Sequence, residues 1–383
     1  MKLQHRCFTA AAVMAAVFAI PRARALVSLE DGRDHVFVDG SVTMAYDSNL
    51  FANAKDQGTF SYSGTLGTEL ARRAGWIGVN VQASLSWARY ANFRDQDYVD
   101  PKVSAEFTKI TGRTTGSLTM DVQREDRTDV TVNTRDTSWN YNAGLDVQYP
   151  VIERYSITAS FDYDKVDYTD KALFVNQEGY TENMYLYYIL NEQRDLFLNQ
   201  RLRYTQLTDG ISDVDNALSG GVSGRVWGPI NGSLQFGYQE RRAYGPGRGT
   251  FPDVTASGTT TWNVNRRITV SGDLSRDFST TSTAQSIETT RAGLTFQDSL
   301  TSKASTTLSA AIGENRFIGV EGEITPGGRN RLDTFISFSA GYFYTVNQHL
   351  KFAVNYTYYR SYSNLDFAEF SRNGVTFTIS SRW

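Results

Sequence analysis

What most constrains this chain is an apolar–polar alternation with a period of two residues, recurring along almost its whole length. Ile77, Val79, Val81, Ala83, Leu85 and Trp87 fall in one set, and Gly78, Asn80, Gln82, Ser84 and Ser86 in the other. Successive side chains of a strand point to opposite faces, so each set lines one face. The pattern returns at Trp139, Tyr141, Ala143, Leu145, Val147 and Tyr149, at Tyr155, Ile157, Ala159, Phe161 and Tyr163, and at Leu350, Phe352, Val354, Tyr356 and Tyr358. A soluble β-sandwich alternates locally too. Apolar faces that end repeatedly in Tyr, Trp and Phe instead match the aromatic girdles of a barrel set in a membrane. The 22 Tyr and 22 Phe support strands. With a mean hydropathy of −0.40 and no internal apolar run of helix-spanning length, a helical membrane protein is excluded. The single Cys excludes a disulfide-stapled scaffold.

Candidate strands fall at 35–46, 58–72, 76–90, 98–109, 113–124, 136–149, 153–168, 179–190 and 194–206. They continue at 215–227, 230–243, 252–264, 267–278, 287–298, 302–315, 331–345, 349–361 and 371–383. That is about 18, with 16 within reach, an even number that suits an antiparallel transmembrane β-barrel. Short connections (Arg73-Ala74-Gly75, Pro150-Val151, Gly228-Pro229, Val264-Asn265, Val346-Asn347-Gln348) alternate with longer polar ones at 47–57, 125–135, 169–178, 207–214, 279–286 and 316–330. Short periplasmic turns and longer extracellular loops are the asymmetry of such barrels, and both termini are then periplasmic. The fold class is all-β.

Residues 1–25 read as a secretory signal peptide: Lys2 and Arg6, an apolar run from Phe8 to Ile20, and Ala23-Arg24-Ala25 as a small-x-small cleavage site. Export to the outer membrane of a Gram-negative-type bacterium follows. A short periplasmic segment, 26–34, precedes the barrel at 35–383, which leaves no room for the plug of a TonB-dependent transporter. Removal of the signal takes the net charge from −3 to about −7, which argues against nucleic acid as a partner.

Continuing the alternation turns Asp39, Glu69, Asp121, Asp146, Asp162, Asp164, Asp273 and Asp277 inward, with Arg201, Arg203, Arg225, Arg241 and Lys351. The arginines gather on the ninth to eleventh candidate strands. They read either as a ladder guiding anionic groups along a pore or as partners of lumen carboxylates, the second being the more ordinary arrangement. Inward Phe197, Trp227 and Tyr359 are candidates for stacking on sugar rings. Phe377, Ile379 and terminal Trp383 form the outward face of the last strand, the expected signal for the barrel-assembly machinery.

An enzymatic barrel needs an activated nucleophile with a base in reach. His5 leaves with the signal, His35 and His349 fall at the periplasmic rim, and no Gly-x-Ser-x-Gly elbow occurs. Asp162 and Asp164 as a carboxylate pair, and Asp213 and Asp215 as a Ca²⁺ or lipopolysaccharide bridge, read more simply as lumen lining and solvated loop. No catalytic residue, metal site or cofactor is expected.

The first strand, Val36-Phe37-Val38, runs into Tyr46-Asp47-Ser48-Asn49-Leu50-Phe51. This strand with its Tyr-Asp-x-Asn-(apolar)-Phe turn resembles the start of the outer-membrane β-barrel porins that accompany exopolysaccharide operons. The resemblance implies a barrel completing passive export of a polysaccharide, with outer-membrane lipid, lipopolysaccharide and periplasmic polysaccharide-export proteins as partners. A general or selective small-solute porin is the alternative. A structural or adhesive barrel with a closed lumen is the third reading.

Overall fold

A computed structural model describes residues 27–29, 34–245, 249–318 and 330–383. The predicted signal peptide and most of the predicted 316–330 loop lie outside the described residues. In chain order the strands are β1 (Val27–Leu29), β2 (Asp34–Asp47), β3 (Thr59–Ala74), β4 (Ile77–Tyr90), β5 (Tyr98–Lys109), β6 (Thr115–Asp129) and β7 (Thr134–Ile152). Then come β8 (Tyr155–Tyr168), β9 (Gln177–Asn191), β10 (Arg194–Leu207), β11 (Ser212–Trp227), β12 (Ile230–Tyr244) and β13 (Thr250–Asn263). The set ends with β14 (Ile268–Thr280), β15 (Ser286–Asp298), β16 (Ala304–Ile318), β17 (Leu332–Thr345), β18 (Leu350–Ser363) and β19 (Phe370–Arg382).

Strands β2 to β19 pair in sequence, all antiparallel, and β19 closes on β2 from Gly374↔Asp47 to Arg382↔Asp39. Trp383 and Val38 complete the seam with a reciprocal backbone pair at 2.8 and 2.9 Å. The result is a closed barrel of 18 strands, and each matches one of the 18 predicted segments. Closure removes the sheet edges, so the backbone can stand in lipid. β1 pairs with Asp34–Val36 of β2, below the point where β19 ends.

The outward face carries Leu66, Leu218, Phe236, Leu294 and Ile312, each more than half exposed. An upper girdle of Phe60, Tyr62, Tyr204 and Tyr238 and a lower one of Trp76, Tyr149, Tyr155, Trp262 and Tyr344 bound this belt. On the inner face hydroxyls pair across strands: Thr43 with Thr378, Thr65 with Ser86, Thr295 with Ser309.

Two predicted details change. Pro150-Val151 is not a turn: it lies within β7, and Glu153-Arg154 makes the reversal, with a bulge between Pro150 and Ile152 absorbing the change of register. The loop predicted at 125–135 is mostly strand, and those at 207–214 and 279–286 are shorter than predicted, because β6, β7, β11 and β14 run on. At the lower end Gly75, with φ of +62°, permits the two-residue reversal into β4.

Candidate functional site

Two hairpins leave the wall at the upper end. The β5–β6 ladder stops at Lys102↔Gln123, although β5 continues up to Tyr98 and β6 to Asp129. Likewise β13–β14 stops at Ala256↔Arg276, with β13 beginning at Thr250 and β14 ending at Thr280. Pro101 and Pro252 sit on the edges so created, where a residue without an N–H does no damage. Side chains take over from the ladder. Arg124 donates to the Val99 carbonyl at 2.8 Å, and the Asp126 N–H donates to Asp100 at 3.1 Å. The Thr255 hydroxyl donates to the Arg276 carbonyl at 3.1 Å, and the Asp253 carboxylate accepts from the Val254 N–H at 2.6 Å.

The freed tips fold inward. Arg135 of β7 has the parity of lipid-facing Trp139, yet its guanidinium lies over the rings of Tyr90 and Tyr98, on the inner faces of β4 and β5. It pairs there with Asp126 at 2.6 Å. Arg276 of β14 shares the parity of Leu274, yet it reaches Asp253 on the inner face of β13 at 2.9 Å, and also Glu288. An arginine left facing lipid would cost about 2–4 kcal/mol at the midplane and about 0–1 kcal/mol near the interface. Inside the barrel it finds carboxylates.

The β14–β15 tip folds inward past β13 to the wall at β10–β12, where three predicted lumen arginines hold it. Arg201 binds the Asp277 carboxylate at 2.7 and 2.9 Å. Arg203 bonds Asp215, Asp277 and the Phe278 carbonyl. Arg241, 1% exposed, forks onto Asp215 at 2.6 and 2.7 Å and donates to the Ser279 carbonyl at 2.7 Å. Thr280 donates to Asp213 at 2.9 Å. Asp213 and Asp215 are therefore buried anchors of this latch rather than parts of a solvated loop. Loops finish the closure: Val175 N–H donates to Ser282 and the Gln177 amide to Thr281. The β6–β7 turn meets the first loop and the start of β17, with Asn133 bonded to Ala52 and Arg331.

The remaining predicted positions fall as follows. Asp146, Asp162 and Asp164 share the inner face of β7 and β8, and Asp164 stands against Gly179, where a Cβ would come within 2.5 Å of its carboxylate. Asp273 pairs with Arg291. Arg225 is on the inner face near the lower end of β11. Trp227, by contrast, is 79% exposed beside the Gly228 turn and not in the lumen, because a bulge after Arg225 shifts the register. Tyr359 faces inward, but it is stacked between Phe335 and Phe370 at 5.7 and 5.6 Å. Phe377 is outward and 53% exposed, Ile379 shares its face, and Trp383 stacks on His349. Below the tips, a cavity of about 510 Å³ opens towards the lower end, lined by Asp39, Gln82, Ser84, Lys102, His349 and Lys351 among others. No cluster of metal-ligand type is found among the described residues.

The inward hairpins escaped the sequence reading. Their signal was available: Arg124, Asp126, Arg135, Arg276 and Glu288 all carry lipid-facing parity, which a tip remaining in the wall would not tolerate.

A closed 18-stranded barrel with an apolar belt, two girdles and a polar, partly obstructed lumen has the architecture of the outer-membrane porins. The family model described as "Putative beta-barrel porin 2" matches residues 214–382, so the porin resemblance holds. Among solved structures, the chain is similar to Pseudomonas aeruginosa OpdK with vanillate, at 12% identity and a TM-score of 0.51, covering 91% of this chain and 99% of that one. It is also similar to Pseudomonas aeruginosa OccK2 (OpdF), at 10% identity and a TM-score of 0.51, covering 91% and 98%. These likenesses concern the fold. A comparison with curated proteins finds no match.

Proposed function

We propose that this barrel is a selective channel for a hydrophilic solute, conducting without catalysis between a polar lower vestibule and a narrow upper constriction. The observation that carries this reading is the latched β14–β15 tip: Arg201, Arg203 and Arg241, anchored on Asp215, hold its Asp277 carboxylate and its Phe278 and Ser279 carbonyls inside the lumen. Such an obstruction favours passage of small molecules and opposes a freely open conduit for a thick polymer. The OpdK structure was solved with vanillate, so a channel of this architecture is compatible with a small ligand. Single-channel recording in planar bilayers tests the reading, with a small, ion-selective conductance expected. Silence even after shortening the tip would leave the structural, closed-lumen reading.

The second reading is exopolysaccharide export, with periplasmic export proteins delivering the polymer. The hydroxyl and amide lining favours it, since such groups suit a hydrated sugar chain; the tips must then move aside. A deletion strain should lose surface polysaccharide and retain polymer in the periplasm. Unchanged polysaccharide removes this reading. Lipopolysaccharide around the belt and recognition of Phe377, Ile379 and Trp383 by the assembly machinery belong to both readings.

A further inference from the structure

On the inner face of β9, Tyr185 and Tyr187 lie two residues apart with nearly parallel rings, 5.8 Å between centroids and 18° between planes. Phe197, opposite Tyr187 on β10, adjoins both at 5.7 and 5.4 Å. Phe197 is buried and pressed to the wall, because its neighbour on β11 is Gly221, where a Cβ would fall 2.4 Å from the Phe197 ring. It therefore backs the two tyrosines, which stay only half-buried.

Polar groups flank this shelf. Ser156 and Thr158 of β8 stand opposite Tyr187 and Tyr185, and Asn199 of β10 stands opposite Tyr185. Asp146 and Asp162 lie on the same face two to four strand positions farther up. The next inward position above Asn199 is Arg201, the base of the latch, so the shelf lies on the approach to the constriction.

We propose that Tyr185 and Tyr187 form a binding subsite for a neutral pyranose; the proposal rests on the channel reading and names its substrate class. The C–H face of a pyranose is weakly positive and packs on the negative face of an aromatic ring. Its hydroxyls need donors and acceptors beside that ring, and the Asn199 amide with the Ser156 and Thr158 hydroxyls supplies both. Arg201, the cation nearest the shelf, is already committed to Asp277, so among the described residues no unpaired cation beside the shelf receives a uronate carboxylate, and the geometry favours neutral saccharides.

The test uses the full barrel in planar bilayers, with maltohexaose added to the lower side as the neutral probe and hexagalacturonate as the anionic one. Maltohexaose is expected to block the current, hexagalacturonate far less. Tyr185→Ala with Tyr187→Ala should weaken the block about tenfold, since both ring faces are lost. Tyr185→Trp with Tyr187→Trp should retain it. Equilibrium dialysis of the same probes against the barrel in detergent reads binding whether or not current flows, so a failed channel reading is distinguished from a failed subsite. No maltohexaose binding to the wild type, or equal binding by the double alanine variant, overturns the proposal.

Discussion

The Arg201 guanidinium on β10 donates two hydrogen bonds, 2.7 and 2.9 Å long, to the Asp277 carboxylate on β14. Four strand positions separate them, roughly 19 Å along the wall at the usual strand spacing. The pair forms because the β14–β15 tip has left β13 and folded into the lumen. Selectivity should follow from this pairing. Arg201→Ser leaves Asp277 with less compensating charge and is expected to shift the reversal potential in a salt gradient towards cations. Adding Asp277→Ser should restore it nearly to the wild-type value, since the two act as one unit. Independent, additive shifts would show that the pair does not govern ion flow.

Asp215 is the anchor of the latch, buried and shared by Arg203 and Arg241. Removing one member of a buried ion pair strands its partners, at a cost of about 3–5 kcal/mol. Asp215→Asn should therefore lower the urea midpoint of the refolded barrel and raise its conductance as the tip loosens. A variant with unchanged midpoint and current would deprive the latch of energetic weight.

Lipid-facing and inward-folded positions of the same parity should respond in opposite ways to charge. Leu294→Arg places a charge in the apolar belt and is expected to destabilise the barrel by about 2–4 kcal/mol. Arg276→Leu removes a charge from matching parity on β14, yet it should also destabilise, because Asp253 and Glu288 lose their partner. Reversible folding into vesicles measures both. If Arg276→Leu were stabilising, the tip would be standing in lipid.

The prolines mark the splits. Pro252→Val is expected to change stability by less than about 1 kcal/mol, since no β14 neighbour pairs with that position. Phe236→Pro, four residues below the partner of Pro252 on β12 and paired on both sides with Gly220 and Ala256, removes a ladder bond and should cost well over about 1 kcal/mol. Heat-modifiability on gels separates the two outcomes.

The wall was legible because lipid outside and water inside impose opposite chemistry on alternate residues of every strand, so all 18 segments and the facing of Asp146, Asp162, Asp164 and Arg201 could be read by parity. What escaped was where the wall ends. Parity alone puts Arg203 and Arg241 on the lumen side without saying that a hairpin from β14 and β15 would fill the space before them. Trp227 fell on the wrong side because a bulge costs one residue of register and leaves no mark in an alternation. The Tyr185–Tyr187 shelf was missed because only its backing residue, Phe197, stood out as inward.

The most direct measurement compares the single-channel conductance of the wild-type barrel with that of a variant in which residues 276–290, the inward part of the β14–β15 hairpin, are replaced by a short Asn-Gly turn. A small, ion-selective current is expected in the wild type and a several-fold larger, less selective one in the variant. Equal conductance in the two would contradict a lumen constricted by this tip.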